Sequence, residues 1–260
     1  MISGESDFKA ELKPNEQIDI LKNNGRKIIQ NKEKFMFGID AYLLAGFSEI
    51  RKGDIVVEFG TGTGIIPILL ADSPAKKIHA LEVQPESSDM ARRSVELNGL
   101  SEKIQIHEEN LKNIRRLFPQ SFCNTVISNP PYIKTTQGKL NPSESKNIAR
   151  HEILCTLEDV ISSAEKILKP HGRFFMIHRS ERLDEIFVLM EKYSFKIKRL
   201  QFVFPFIEKP PVMILVEARK NANSGVKVLE PLIMYDSPGI YSKQIEAIYK
   251  KFTREIPRLS

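Results

Sequence analysis

Asp54–Phe59 (DIVVEF) runs directly into Gly60–Gly64 (GTGTG), and this junction decides the fold class. The first six residues are mainly apolar and β-branched, which predicts a buried strand. Glycines at alternate positions permit a tight turn and the close approach of a ligand to the backbone. The apolar run Ile65–Ala71 then predicts a helix. The stretch therefore predicts a strand, a glycine turn and a helix, the repeating unit of an α/β fold.

Strands and helices alternate on the carboxyl side of this unit. Short apolar runs predict strands at Ile78–Val83, Lys103–His107, Thr125–Ser128 and Arg173–His178. Amphipathic stretches predict helices at Glu86–Asn98, Thr156–Leu168 and Arg182–Tyr193, with Gly99 as the C-cap of the first. This alternation is typical of a mostly parallel sheet that helices cover on both faces.

Two late strands depart from the alternation. Lys198–Phe204 and Val212–Ala218 are separated only by Pro205–Pro211, which is too short for a helical crossover. We therefore expect these two strands to form an antiparallel hairpin at one edge of the sheet.

The flanking segments predict the domain organisation. Residues 18–30 read as two strands joined by Asn24-Gly25, a good hairpin turn, and Asp40 could cap a helix over Ala41–Ile50. A polar linker, Asn221–Gly225, precedes a basic helix over Ser242–Phe252. We expect an N-terminal segment with a β-hairpin over residues 1–39, the main α/β domain over 40–220 and a C-terminal extension over 221–260.

Composition restricts the classes of function. The chain has 260 residues, 41% of them hydrophobic and 28% charged, which is typical of a globular protein. A net charge of +6 favours a polyanionic partner without establishing one. Cys123 and Cys155 lie in no CxxC motif, so we expect reduced thiols and no metal site. No run of about 18 apolar residues and no signal peptide in Met1–Pro14 can be found, which predicts a cytoplasmic protein without membrane spans.

The glycine turn and a later acid predict a nucleoside site. Glu82 ends the next strand, where an acid can accept from both hydroxyls of an adenosine ribose. The turn reads GxGxG rather than the GxGxxG of dinucleotide sites, and Glu58 precedes it. An acid there would repel a pyrophosphate but could bind the ammonium of S-adenosylmethionine. The expected cofactor-binding residues are Glu58, Gly60, Thr61, Gly62, Gly64 and Glu82. The alternative is a structural turn with an acid at a strand end.

Asn129-Pro130-Pro131-Tyr132 is the most specific motif of the chain. Its prolines fix the turn that follows the strand Thr125–Ser128. The Asn129 amide oxygen and the Pro130 carbonyl can then accept from one NH2 group, and Tyr132 can stack on a flat substrate. We expect Asn129, Pro130 and Tyr132 to be catalytic in the methylation of a planar amine. A structural proline turn is the alternative.

Together these motifs resemble the class I methyltransferases that modify amino nitrogens. More closely, the chain resembles the bacterial adenine-N6 methyltransferases of valine tRNA, over most of residues 16–250. The matching stretches are Ile28–Gly38 with Asp40, Arg92–Asn98, Asn129–Thr135, Ala149–Asp159, His178–Arg182, Leu200–Pro205 and Leu229–Tyr235. The resemblance implies a Rossmann-like sheet of seven mostly parallel strands with the last one reversed, and S-adenosylmethionine as cofactor. It also implies methylation of an adenine just 3′ of the anticodon, with the anticodon stem-loop as partner.

The resemblance adds further residues to the candidate site. It assigns Asp40 and Asn110 to the cofactor. Where such enzymes often carry an acid, this chain reads Glu108-Glu109-Asn110, so the residue that contacts the adenine of the cofactor is left open. Pro131, Arg150 and His151 are assigned to the substrate, although Arg150-His151-Glu152 could equally be a solvated helix start.

Aromatic and basic residues outside these motifs have weaker interpretations. Phe35 and Phe37 could cover the cofactor, but core packing is favoured. Basic runs could follow a phosphate backbone, although solvated faces are the usual explanation. They comprise Lys192, Lys196, Lys198, Arg199, Lys243, Lys250, Lys251 and Arg254. His79 and His171 are expected to be structural or exposed.

Other functions compete with this interpretation. A glutamine N-methyltransferase of release factors also uses Asn-Pro-Pro-Tyr, but such enzymes carry a larger helical N-terminal domain. DNA adenine methylation would need a target-recognition domain that does not fit this length. A non-catalytic RNA-binding module would have no need for Glu58, Glu82 and Asn129. A nicotinamide dehydrogenase is disfavoured by the spacing of the glycines.

Overall fold

A nine-stranded sheet forms the centre of the computed structural model, which describes residues 11–21, 24–33, 37–132 and 155–253. The strands are β1 (Glu16–Ile20), β2 (Lys27–Asn31), β3 (Ile55–Phe59), β4 (Lys77–Glu82), β5 (Ile104–Glu108), β6 (Cys123–Ser128), β7 (Leu168–Arg179), β8 (Phe195–Phe204), β9 (Met213–Lys220), β10 (Lys227–Val228), β11 (Leu232–Ile233), β12 (Tyr235–Ser237) and β13 (Ile240–Tyr241). The described α-helices are α1 (Ile39–Phe47), α2 (Ile65–Leu69), α3 (Pro85–Leu97), α4 (Ile114–Leu117), α5 (Leu157–Ile167), α6 (Leu183–Lys192) and α7 (Lys243–Lys250).

The strand order confirms the predicted mostly parallel sheet. It runs β10-β8-β9-β7-β6-β3-β4-β5, with β11 also paired to β8. Neighbours from β7 to β5 are parallel, whereas β9 is antiparallel to both β7 and β8. The expected hairpin of β8 and β9 is therefore present. The reversed strand is β9, which lies between β7 and β8. It is therefore not the edge strand that the resemblance implied, because β8 lies outside it.

The order of the strands creates a crevice at the middle of the sheet. The chain leaves β3 toward β4 and β5 and then returns to form β6 on the other side of β3. The connections after β3 and after β6 thus diverge to opposite sides at the carboxyl ends of these strands. Open α/β sheets bind ligands at such a switch point.

Apolar residues cover both faces of the sheet. Neighbouring residues of one strand, such as Val56 and Val57 or Phe174 and Phe175, are buried in two separate hydrophobic clusters. One cluster includes residues of α1, α2 and α7, and the other includes residues of α5 and α6. Continuous apolar strands are what a sheet covered on both sides requires. Across the described ranges, no helix is both long enough and apolar enough to cross a membrane.

Helix ends confirm one cap expected from the sequence, add one that was not predicted and contradict a third. Gly99 has φ +64° and ends α3 as expected, with its N–H bonded to the carbonyl of Glu96 at 2.9 Å. Thr156 caps α5 through a reciprocal pair of bonds with Asp159. The expected cap at Asp40 is wrong, because α1 begins at Ile39 and Asp40 lies in its first turn.

The N-terminal hairpin forms as predicted. Strands β1 and β2 are antiparallel, and Gly25 in the connection has φ +68°. The hairpin attaches to α3, since the N–H of Ile29 donates to the hydroxyl of Ser94 at 2.9 Å.

The C-terminal extension contributes to the core. Its short strands β10 and β11 pair with β8, an arrangement that the sequence did not predict. Helix α7 packs on α1, where the ring of Tyr249 lies 4.5 Å from that of Tyr42. A Cβ at Gly46 would lie 3.0 Å from the side chain of Ile248, so Gly46 allows the two helices to approach closely.

Candidate active site at the carboxyl edge of the sheet

Three neighbouring strands end together at the crevice. Phe59, the last residue of β3, is in register with Leu81 of β4 and with Ser128 of β6. The glycine turn, Glu82 and Asn129 follow directly from these positions. The structure therefore places the two main motifs of the sequence at one edge of the sheet.

The glycine turn adopts a backbone that other residues rarely adopt. Gly60, Gly62 and Gly64 have φ values of +71°, +57° and +91°. A Cβ at Gly62 would meet no atom within 4 Å, so the space above the turn is open to a ligand. A Cβ at Gly64 would lie 3.4 Å from the Cβ of Ala91, which ties this glycine to the packing of α3.

Glu82 is a buried carboxylate held by backbone donors. It accepts from the N–H of Gly62 and from the N–H of Gln84, each at 2.9 Å. Burial raises the pKa of Glu82, while these backbone bonds oppose the rise. Each carboxylate oxygen keeps a further lone pair, so Glu82 can accept hydroxyl donors from a ligand.

Glu58 is the most deeply buried acid of the site, with 1% of its surface exposed. The hydroxyl of Thr61 donates to it at 2.6 Å. Burial, with the nearby charge of Glu82, raises the pKa of Glu58 to about 8, and the bond from Thr61 opposes this. A cationic ligand would favour the ionised form of this side chain.

Asn129, Tyr132 and Asp40 form one hydrogen-bonded cluster. Oδ2 of Asp40 accepts from Nδ2 of Asn129 at 3.0 Å and lies 2.9 Å from the hydroxyl of Tyr132. The same hydroxyl contacts Oδ1 of Asn129. Burial and the charge of Asp40 raise the pKa of Tyr132, so the phenol keeps its proton. Of the two prolines between these residues, Pro130 is buried and Pro131 is exposed.

The ring of Tyr132 has neighbours from the end of β7. The ring of His178 lies 5.5 Å away at an interplanar angle of 74°, and the Arg179 guanidinium lies 5.5 Å from the centre of the Tyr132 ring. His178 is fully buried, and burial lowers its pKa to about 4. Sequence reasoning gave neither residue a role. Their position at the end of a strand parallel to β6 was the available signal.

Asn110 lies beside Glu82 at the end of β5. Its side-chain oxygen accepts from the N–H of Lys112 at 2.9 Å. The neighbouring Glu109 carboxylate accepts from the N–H of Asn110 at 2.8 Å, and the N–H of Glu109 donates to the carbonyl of Glu82. Asn110 and Glu109 therefore both reach this edge, and the choice between them as adenine contacts stays open.

Several candidate residues are not described by the structure or have other partners. Arg150, His151 and Phe35 lie outside the described residues. Phe37 packs against the hydrophobic core. Five of the basic candidates have partners within the protein: Lys192 with Glu158, Lys196 with Glu191, Arg199 with Glu217, and Lys198 and Lys251 with backbone carbonyls. Arg254 lies outside the described residues. Across the described ranges, no group of three His, Cys, Asp or Glu residues could hold a metal ion.

The comparisons with known proteins agree with this geometry. A family model described as "Methyltransferase small domain" matches residues 40–196. A curated protein of Porphyromonas gingivalis, named tRNA1(Val) (adenine(37)-N6)-methyltransferase, is 27% identical over 224 residues, which covers 83% of this chain and 87% of the relative. A protein of Phocaeicola vulgatus with the same name is 23% identical over 215 residues, covering 83% of this chain and 89% of the relative.

Solved structures share the fold. A crystal structure from Agrobacterium tumefaciens, described as a predicted O-methyltransferase, matches with a TM-score of 0.67 at 22% identity, covering 84% of this chain and 100% of that one. The M. jannaschii TYW2 in complex with AdoMet matches with a TM-score of 0.53 at 16% identity, covering 81% of this chain and 89% of that one.

Proposed function

The chain belongs to the methyltransferase small domain family, and we propose that it transfers a methyl group from S-adenosylmethionine to N6 of an adenine in tRNA. The relatives are named for adenine 37 of tRNA1(Val), and we propose the same target here, the adenine that the sequence resemblance places just 3′ of the anticodon. A tRNA substrate implies that the reaction takes place in the cytoplasm.

One juxtaposition supports the proposal most. The Asn129 amide, bound to Asp40 and Tyr132, lies at the strand edge next to the glycine turn and Glu82. The Asn129 cluster suits a planar amine, and Glu82 with the glycine turn suits a ribose. Methyl transfer needs these two ligands side by side, since the reacting atoms must meet.

The acidic residues fit S-adenosylmethionine as the cofactor. Glu58 and Glu82 are buried acids, and the glycine turn leaves open space above Gly62. Glu82 would accept from the ribose hydroxyls, and Glu58 would bind the ammonium of the methionine moiety. Gly60, Thr61 and Gly64 would shape the turn, and Asn110 or Glu109 would contact the adenine. Two buried acids would repel the pyrophosphate of a dinucleotide.

Asn129 and Pro130 would act on the target amine. Bound S-adenosylmethionine supplies a methyl group on a positively charged sulfur that leaves as a neutral thioether. Oδ1 of Asn129 and the carbonyl of Pro130 would each accept from one N–H, which favours a tetrahedral nitrogen with its lone pair directed at the methyl. Such acceptors act most strongly as the nitrogen gains positive charge. The proton leaves to water after the nitrogen–carbon bond forms, so no strong base is required.

The remaining sequence-based assignments complete the proposal. Pro131, Arg150 and His151 would contact the anticodon stem-loop around the target adenine. We also propose the domain organisation that the sequence predicts, with an N-terminal segment over residues 1–39, the catalytic domain over 40–220 and a C-terminal extension over 221–260.

Nucleoside analysis tests the proposal directly. The purified chain is incubated with S-adenosylmethionine and an unmodified valine tRNA transcript, and the digested RNA is examined by mass spectrometry for N6-methyladenosine. A transcript with guanine in place of the adenine that follows the anticodon is the matched control. Methyl transfer to a release factor, with none to either RNA, would contradict the proposed substrate and favour a glutamine amide.

A further inference from the structure

Asp40 lies on the target side of the site. Its carboxylate is buried, with Oδ1 bonded to the N–H of Ala41 at 3.0 Å. Its other oxygen, Oδ2, bonds Asn129 and contacts the hydroxyl of Tyr132. Both recorded partners of Oδ2 thus belong to the Asn-Pro-Pro-Tyr turn.

These bonds fix the orientation of the Asn129 amide. A carboxylate only accepts hydrogen bonds, so the end of the amide that faces Asp40 must be the NH2 group. The oxygen end of the amide then faces the Tyr132 hydroxyl, which contacts it. Without Asp40, nothing in this cluster would distinguish the two ends of the amide.

The Tyr132 hydroxyl has one proton and two acceptors. Asp40 and Asn129 both lie within reach of that proton. A target amine must also donate to Oδ1 of Asn129, which has two lone pairs. If the tyrosine proton occupies one of them, the oxygen is a weaker acceptor for the amine. When the amine arrives, the phenol proton can turn fully to Asp40 and leave the Asn129 oxygen to the amine.

Gly38 supports this placement of Asp40. A Cβ at Gly38 would lie 2.8 Å from Oδ1 of Asp40, closer than real Cβ contacts permit. A side chain at position 38 would therefore displace the carboxylate.

We propose that Asp40 is a positioning residue that orients the Asn129 amide and accepts the hydrogen bond of the Tyr132 hydroxyl, so that both lone pairs of the Asn129 oxygen are available to the target amine. The inference rests on the proposed function and moves Asp40 from the cofactor to the target amine. It makes no use of Asp40 as a proton acceptor for the substrate.

Single-turnover methylation of the tRNA transcript, at saturating cofactor and RNA, tests the role. Asp40→Ala should lower the rate by about 10–100-fold, by analogy with the loss when a residue that orients a metal ligand is removed. Gly38→Ala should lower the rate in the same direction while it retains the carboxylate. Glu49→Gln, an exposed acid beyond the other end of α1, is the matched charge control and should react at the parent rate. Affinity for S-adenosylmethionine should stay within about twofold in all variants.

A double variant separates positioning from a general structural role. In Asp40→Ala, the Tyr132 proton has only the Asn129 oxygen left in the cluster, so it stays on that oxygen and weakens it as an acceptor for the amine. Removing the hydroxyl as well, in Asp40→Ala/Tyr132→Phe, should therefore give a rate equal to or above that of Asp40→Ala alone. A rate loss in the double variant equal to the product of the losses in the two single variants would overturn the proposal. A parallel loss of affinity for S-adenosylmethionine would overturn it too.

A spectroscopic measurement keeps this test independent of the tRNA assignment. The side-chain NH2 signals of Asn129 are assigned in 15N–1H spectra by their absence in Asn129→Asp. They should shift in Asp40→Ala and in Gly38→Ala but not in Glu49→Gln. Unmoved Asn129 signals would overturn the role of Asp40 even if tRNA is methylated. A parent that methylates no tRNA, with shifted signals, would contradict the proposed function alone.

Discussion

The N–H of Gly62 donates to the carboxylate of Glu82 at 2.9 Å and so connects the glycine turn to the end of the next strand. The two residues are 20 positions apart in the chain. One acid thereby holds the backbone of the turn and keeps lone pairs for a ligand.

Glu82→Ala should weaken binding of S-adenosylmethionine by about 1.5–3 kcal/mol, the scale for hydrogen bonds to a charged group. Glu82→Gln keeps one acceptor for Gly62 and should lose less. Isothermal titration calorimetry on both variants measures the difference. Parent-like affinity in Glu82→Ala would mean that the ribose binds elsewhere.

Glu58 should make the stability of the protein depend on pH. Its pKa is about 8 in the folded protein and about 4.5 when exposed, because burial disfavours the charge. The unfolded chain therefore releases this proton at lower pH than the folded one. The resulting stabilisation is complete below about pH 4.5 and is lost as the pH rises through about 8.

Thermal melts of the parent and of Glu58→Gln, between pH 5 and pH 9, measure this contribution. The melting temperature of the parent should fall relative to that of the variant as the pH rises through this range. Parallel melting curves at every pH would show that Glu58 is ionised in the folded protein. Cofactor binding should also release a proton near neutral pH in the parent only, because the bound ammonium favours the ionised acid.

The sequence predicted the sheet and both motifs, since each depends on local patterns such as apolar runs, glycines and prolines. It could not predict the hydrogen bond between Asp40 and Asn129, because the two residues are 89 positions apart and meet only through the packing of α1 on the sheet. The short strands β10 and β11 have two residues each, too few for a periodic pattern. The positions of His178 and Arg179 beside Tyr132 also depend on which strand lies next to β6.

RNA binding should depend on salt, and Arg179 should contribute to it. Its side chain is exposed beside Tyr132, and the described residues give it no ion pair. Arg179→Gln should reduce the slope of log affinity against log salt concentration by about 0.7–0.9, the change for one phosphate contact. Lys196→Gln is the control, since Lys196 already pairs with Glu191. Fluorescence anisotropy with the labelled anticodon stem-loop measures both slopes. Equal slopes for Arg179→Gln and the parent would exclude Arg179 from the RNA contacts.

Asn129→Ala should leave cofactor binding intact and slow the chemical step. It removes the acceptor that faces the reacting amine as positive charge develops, a loss that typically lowers the rate by about 10²–10³. Asn223→Ala, in the exposed linker, is the matched control and should react normally. Tyr132→Phe should lower the rate only a few-fold, because Asp40 still orients the Asn129 amide through Nδ2. Single-turnover methylation and cofactor titration on the same preparations provide both readouts. Near-normal turnover in Asn129→Ala would contradict an amine held by this residue, whereas a loss in Tyr132→Phe as large as that in Asn129→Ala would assign the chemistry to the phenol hydroxyl.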